Sequence, residues 1–158
     1  MAIITNKLLS VVIPVYNEQD NVALLTQKIH ESLKGYKYEI IFVNDFSTDQ
    51  TLKAIKALKD PLVHLIELKK NYGQSLALAA GIDYANGDHI ITMDGDLQND
   101  PSDIPSMLKV AIEEDFDLVT GIRQKRKDSW LKKIPSKIAN FLVRKITSLD
   151  IKDNGCAL

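Results

Sequence analysis

The chain has one cysteine, Cys156, so it can form no internal disulfide, which fits a reducing compartment. It lacks any run of about 18 to 20 apolar residues, the length a helix needs to cross a bilayer. The short apolar stretch within Met1 to Leu9 runs directly into a strand pattern and does not read as a signal peptide. The expectation is a soluble chain. Charge of one sign is also missing. Twenty basic residues stand against 21 acidic ones, a net charge of −1, which excludes bulk electrostatic attraction to nucleic acid. No Gly-x-Gly-x-x-Gly or Walker-type loop comes after the first apolar run, which removes the main support for dinucleotide and P-loop readings. No His/Cys cluster suggests zinc: His30, His64 and His89 are scattered and read as structural.

The chain's main positive feature is alternation. The 158 residues suit one domain with a real core, and the 45% hydrophobic and 26% charged shares are ordinary for a globular protein. Apolar, β-branched runs at Leu8 to Val15, Tyr38 to Val43, Leu62 to Leu68, His89 to Met93 and Asp117 to Thr120 predict strands covered on both faces. Between them, Val22, Leu25, Ile29 and Leu33 recur at helical spacing, as do Leu52, Ile55 and Leu58, and Gln74 to Tyr84 is rich in alanine and leucine. Asp49 or Thr48 is placed to open the second helix, and Pro101-Ser102-Asp103 the fourth. This order predicts an α/β fold with a doubly wound, mainly parallel sheet. There is no internal repeat. The one change of character comes after Gly121, where Arg123 to Lys127 forms a basic loop.

Ligands of doubly wound sheets bind at the carboxyl ends of the strands, so the residues just past each strand matter. These are Pro14 to Glu18, Asn44 to Asp49, Lys69 to Gln74 and Asp94 to Gln98. Each has an ordinary explanation: Asp45 and Asp49 as turn and helix cap, Asn71-Tyr72-Gly73 as a loop, Asp94-Gly95-Asp96 as a glycine turn. Four polar clusters at four successive strand ends favour a binding site. Without a glycine-rich cradle, a diphosphate ligand needs another counterweight. Hard carboxylate oxygens after the fourth strand could supply it by holding Mg²⁺ or Mn²⁺.

Val11-Val12-Ile13-Pro14-Val15-Tyr16-Asn17-Glu18, Val43-Asn44-Asp45-Phe46-Ser47-Thr48-Asp49 and Asp94-Gly95-Asp96-Leu97-Gln98 resemble the family 2 glycosyltransferases. Within that family the chain is similar to polyprenyl-phosphate glycosyltransferases, including dolichol-phosphate mannose synthases. Lys70-Asn71-Tyr72-Gly73-Gln74 and the Gly-x-Arg-x-x-Arg stretch from Gly121 to Arg126 match as well, so the resemblance covers nearly the whole chain. It implies a GT-A fold, with a nucleotide-sugar core over 1–121 and a basic loop, amphipathic helix and start of an acceptor region over 122–158. It implies that Pro14, Tyr16 and Glu18 line the nucleotide pocket and that Asp45 reads the base edge. Asn71, Gly73 and Gln74 would border the nucleotide. Asp94, Asp96 and Gln98 would form the metal and diphosphate site, with Asp96 a direct ligand. The chain departs from the family at Phe46, where glycine is usual, and more mildly at Asn44; this leaves the choice between UDP and GDP open.

The implied reaction is inverting transfer of a sugar from a UDP- or GDP-sugar to polyprenyl phosphate. Arg123 and Arg126 would clamp the acceptor phosphate or the leaving diphosphate, and Asp153 would orient the acceptor. From Trp130 to Leu149, apolar residues at helical spacing alternate with Lys132, Lys133, Lys137, Arg144 and Lys145. That is the pattern of a helix lying in a membrane interface, at the cytoplasmic face, or of one packed on the core. Family members usually continue past the point matching Leu158, so a truncated chain is expected. A soluble family 2 enzyme acting on a glycan or cell-surface polymer, and a nucleotide-binding module without catalysis, are the competing readings.

Overall fold

In the computed structural model, residues 6–121 are described. The elements run β1 (Leu8–Val15), α1 (Val22–Ser32), β2 (Lys37–Asn44), α2 (Thr51–Ala57), β3 (Val63–Glu67), α3 (Gln74–Tyr84), β4 (His89–Thr92), a 3₁₀ turn (Pro101–Asp103) and α4 (Ile104–Glu113). The four strands form one sheet in the order β3-β2-β1-β4, and every pairing is parallel. The chain thus winds outward from β1 through β2 to β3, then crosses back to lay β4 on the other side of β1. A crevice opens at such a reversal, outside the carboxyl ends of the two strands.

Alternation along the strands sends side chains to both faces. Both are buried along β1 and β2, whereas the edge strands β3 and β4 are only partly covered and Ile90 is 43% exposed, unlike the expected cover on both faces. Leu9, Val11, Ile13 and Val15 of β1, with Ile40 and Phe42 of β2, pack against Val22, Leu25 and Ile29 of α1, Ile55 of α2 and Leu108 of α4. Val12, Ile41 and Val43 face the other way, onto Ala77 of α3. This is the predicted doubly wound arrangement. Gly81 explains how closely α3 approaches: a Cβ there would lie 2.9 Å from Val43 Cγ2 and closer still to Val12.

Strand boundaries agree with the hydrophobic pattern to within a residue or two, and α3 matches its predicted span. The fifth predicted strand does not form. Asp117 to Thr120 is irregular, and Leu118 is 66% exposed. A strand needs a ladder partner, and the sheet of the described residues contains only β1 to β4. The helix starts are also refined. Gln50 occupies the cap position of α2, while Asp49 Oδ1 accepts the Thr51 backbone N–H at 2.9 Å and the Thr51 hydroxyl at 2.6 Å. Pro101-Ser102-Asp103 forms the 3₁₀ turn that leads into α4, and Asp100 caps it by accepting the Ser102 N–H at 3.0 Å.

One charged residue sits buried within the strands. Glu39 is 6% exposed. Its Oε1 accepts the Ser10 hydroxyl at 2.6 Å and the Asn86 N–H at 2.8 Å, and its Oε2 lies 3.4 Å from His64 Nε2. Burial pushes this carboxyl up, but the hydrogen bonds from Ser10 and Asn86 and the neighbouring His64 outweigh it, holding the group below its ordinary value. The histidines fit the structural reading where partners are seen: His30 lies 2.5 Å from the Tyr38 hydroxyl and 2.6 Å from Asp60 Oδ2. His89 Nε2 is buried without a hydrogen-bond partner.

Candidate active site

The turns after β1 and β2 are built on each other. Asn17 adopts φ 59°, a conformation asparagine tolerates better than most residues. Its N–H donates to Ser47 Oγ at 3.0 Å, and its Oδ1 accepts the Thr48 N–H at 2.8 Å. Glu18 N–H donates to Thr51 Oγ1 at 2.8 Å, and Gln19 N–H donates to Asp49 Oδ2 at 3.3 Å. Burial alone would raise the Asp49 carboxyl, but the bonds from Thr51 and Gln19 hold it below its ordinary value. These paired bonds fix the loops that carry Tyr16, Glu18 and Asp45. Phe46, in the same turn, has φ 60°. That is the left-handed region in which glycine is unstrained and a residue with a Cβ is not.

The loop after β3 is held from β2. Asp45, 4% exposed, accepts the Tyr72 N–H on Oδ1 at 2.7 Å and the Gly73 N–H on Oδ2 at 2.8 Å. Gln74, the first residue of α3, donates its side-chain amide to Asp94 Oδ1 at 2.7 Å. After β4, Asp96 Oδ1 accepts the Gln98 N–H at 3.0 Å and closes the turn. Gly95 sits between the two aspartates, where a Cβ would come within 2.7 Å of Val15 Cγ1. Only a residue without a side chain lets the acidic turn rest on the end of β1.

These elements enclose a cleft of about 280 Å³ at the carboxyl edge of the sheet. Pro14, Tyr16, Glu18, Asp45, Gln74, Asp94 and Asp96 line it, together with Val15 and Gly95. The fold thus brings together predicted residues from the ends of β1, β2 and β4 and the start of α3. Other predicted residues are placed differently. Gly73 faces Asp45 through its backbone, whereas Asn71 and Gln98 are exposed and do not line the cleft. Arg123, Arg126, Asp153 and the 130–149 segment lie outside the described residues. The bonds of Asp45 to the next loop are not legible in the sequence, because no local pattern encodes them. A second cavity of about 340 Å³, against Ile55, Asp60 and Val63, lies at the start of β3, away from every strand carboxyl end.

Among the described residues, no three or more His, Cys, Asp or Glu gather as a ready-made metal cage. Asp94 and Asp96 do place hard carboxylate oxygens on one wall of the cleft. Mg²⁺ is commonly held by one or two carboxylates with substrate phosphates and water completing the shell, so this donor set fits a metal that binds with a diphosphate. No helix among the described residues is long and apolar enough to cross a membrane.

The profile of glycosyl transferase family 2 matches residues 10–156. The chain is 43% identical over 156 residues to a dodecaprenyl-phosphate galacturonate synthase of Rhizobium johnstonii, covering 95% of this chain and 46% of that protein. It is 41% identical over 157 residues to an undecaprenyl-phosphate 4-deoxy-4-formamido-L-arabinose transferase of Serratia proteamaculans, covering 96% and 48%. The chain therefore spans about half the length of these relatives. Among solved structures it is similar to a mannosyltransferase of Pyrobaculum calidifontis in complex with GDP-Man and Mn²⁺, with TM-score 0.59, 22% identity, and coverage of 70% of this chain and 35% of that one. It is similar also to S. aureus TarS in complex with UDP, with TM-score 0.59, 20% identity, and coverage of 79% and 39%. Parallel sheet, strand-end motifs and family match agree: the fold is GT-A, and the chain belongs to glycosyl transferase family 2.

Proposed function

We propose that this chain is the donor-binding part of an inverting glycosyltransferase that moves a sugar from a UDP- or GDP-sugar to a polyprenyl phosphate. The observation that carries the donor half is the convergence of the β1, β2 and β4 ends on one cleft, with Asp94 and Asp96 on its wall. The polyprenyl acceptor is supported by the Rhizobium and Serratia relatives, which are named for dodecaprenyl and undecaprenyl phosphate.

In this reading, Pro14, Tyr16 and Glu18 border the nucleoside, with Asp45 behind the base edge. Asp94 and Asp96 would hold Mg²⁺ or Mn²⁺, which would supply positive charge against the leaving diphosphate. An acceptor phosphate oxygen attacks the anomeric carbon from the face opposite the diphosphate. The bond from that carbon to the diphosphate oxygen breaks, and the configuration inverts. An ionised phosphate needs no general base, which agrees with a cleft whose carboxylates serve the donor. Arg123 and Arg126 would clamp phosphate oxygens through forked donors, and Asp153 would orient the acceptor. The 130–149 segment would rest on the cytoplasmic face of a membrane.

The test is calorimetry of UDP- and GDP-sugars with Mn²⁺, followed by transfer assays offering undecaprenyl phosphate or soluble sugars. Metal-dependent binding of one donor class and transfer to the lipid phosphate are expected. Binding of neither donor refutes the donor reading. Transfer to soluble sugars alone refutes the acceptor.

A further inference from the structure

Asp45 invites the simple assignment that its carboxylate faces the base. Its geometry points to a second task. The residue is 4% exposed, and each carboxylate oxygen accepts a backbone N–H, from Tyr72 at 2.7 Å and from Gly73 at 2.8 Å. These two amides belong to a loop 27 and 28 residues further along the chain. Gly73 has φ 89° and stands immediately before α3, so fixing its amide fixes where the helix begins. Gln74 is the first helical residue, and its side chain donates to Asp94 Oδ1 at 2.7 Å.

We propose that Asp45 is a positioning residue for the diphosphate end of the cleft, acting through Gly73 and Gln74 on Asp94. This rests on the donor-binding role proposed for the cleft. Charge-assisted bonds to a buried carboxylate are the strong kind, and two accepted from adjacent amides restrain the loop. Tyr72 is otherwise exposed, and a Cβ at Gly73 would meet nothing within 4 Å, so surrounding side chains do not confine that residue. The anchor is electrostatic and comes from the end of β2. It delivers the Gln74 amide to Asp94 and sets how the Asp94 carboxylate is turned in the cleft.

Asp45→Asn and Gln74→Ala separate this role from base reading. Hydrogen exchange would follow the Tyr72 and Gly73 amides, with Val12 and Ile41 in the sheet as the fold control. Calorimetry would follow UDP and GDP with and without Mn²⁺. In Asp45→Asn, at least about 10-fold faster exchange at Tyr72 and Gly73 is expected, with intact sheet protection. The Mn²⁺-dependent gain in affinity for the nucleotide that the wild-type chain binds should fall about 10-fold. Gln74→Ala should reproduce that loss while the two amides stay protected, and it decides the matter should Asp45→Asn fail to fold. Unchanged exchange in Asp45→Asn overturns the proposal, as does a Mn²⁺-dependent gain of wild-type size in either variant. Failure of the wild-type chain to bind either nucleotide refutes the donor reading instead, and the exchange data still report whether Asp45 holds the loop.

Discussion

The side-chain amide of Gln74 donates to Asp94 Oδ1 across 2.7 Å, joining the first residue of α3 to the acidic turn after β4 and Met93. The two are 20 residues apart in sequence, separated by the whole of α3 and β4. The bond ties the acidic turn to α3 in the absence of any ligand. Preorganisation of this kind lowers the reorganisation needed when charge develops on a leaving group.

Asp96 is the better probe of metal binding, because its one described bond is the local turn from Gln98 N–H. Asp96→Ala should leave the fold intact and weaken Mn²⁺-dependent binding of the nucleotide sugar by about 100-fold, the upper range for perturbing a metal's surroundings. Titration calorimetry at fixed Mn²⁺ reads this directly. An unchanged affinity removes Asp96 from the metal site.

Gly95 predicts a mutation with a matched rescue. Gly95→Ala places a Cβ 2.7 Å from Val15 Cγ1, so the acidic turn must lift from β1. Donor affinity should fall, while stability drops by about 1–3 kcal/mol as in other overpacked sites. Adding Val15→Ala opens the space and should recover part of the affinity. Failure of the double variant to recover shows that the turn moved for another reason.

Phe46 tests backbone strain. At φ 60°, alanine keeps the left-handed cost and glycine does not. Phe46→Gly should therefore be more stable than Phe46→Ala by about 1 kcal/mol, the reverse of their order in a helix. Comparing the two variants in urea cancels the loss of the half-exposed ring, which both share. Equal midpoints would show that the turn has relaxed.

Glu39 sets an acid limit on stability. Its folded-state value is depressed, so its contribution is present above the unfolded value of about 4.3 and is lost as pH falls through the folded one. Glu39→Gln should cost about 2 kcal/mol near pH 7, where a charged acceptor of the Ser10 and Asn86 bonds is removed. The wild-type and variant curves should then converge as pH falls through the depressed folded-state value of Glu39. Urea midpoints taken across about pH 3 to 7 check the sign, and a gap that widens on acidification contradicts it.

Much of this protein was settled locally. The strands β1 and β2 announce themselves as β-branched runs because both of their faces are covered, and α1 does so through Val22, Leu25 and Ile29, which meet one of those faces. The strand-end clusters are legible for the same reason: polar residues interrupt apolar runs where the sheet stops. Asp117 to Thr120 has similar apolar character yet forms no strand, because pairing depends on a neighbour and not on composition.

Tertiary structure alone decided which polar residues share a cleft. Asn71 and Gln98 stand in the same motifs as Gln74 and Asp96 but remain outside it. It also decided that Asp45 braces a loop 27 residues away and that Gly95 must be bare beside Val15. Sequence determined the residue types at the strand ends through local pattern, since burial and turn chemistry act over a few residues. Their distances and partners come from the parallel winding of β1, β2 and β4, which joins parts of the chain that no local pattern relates.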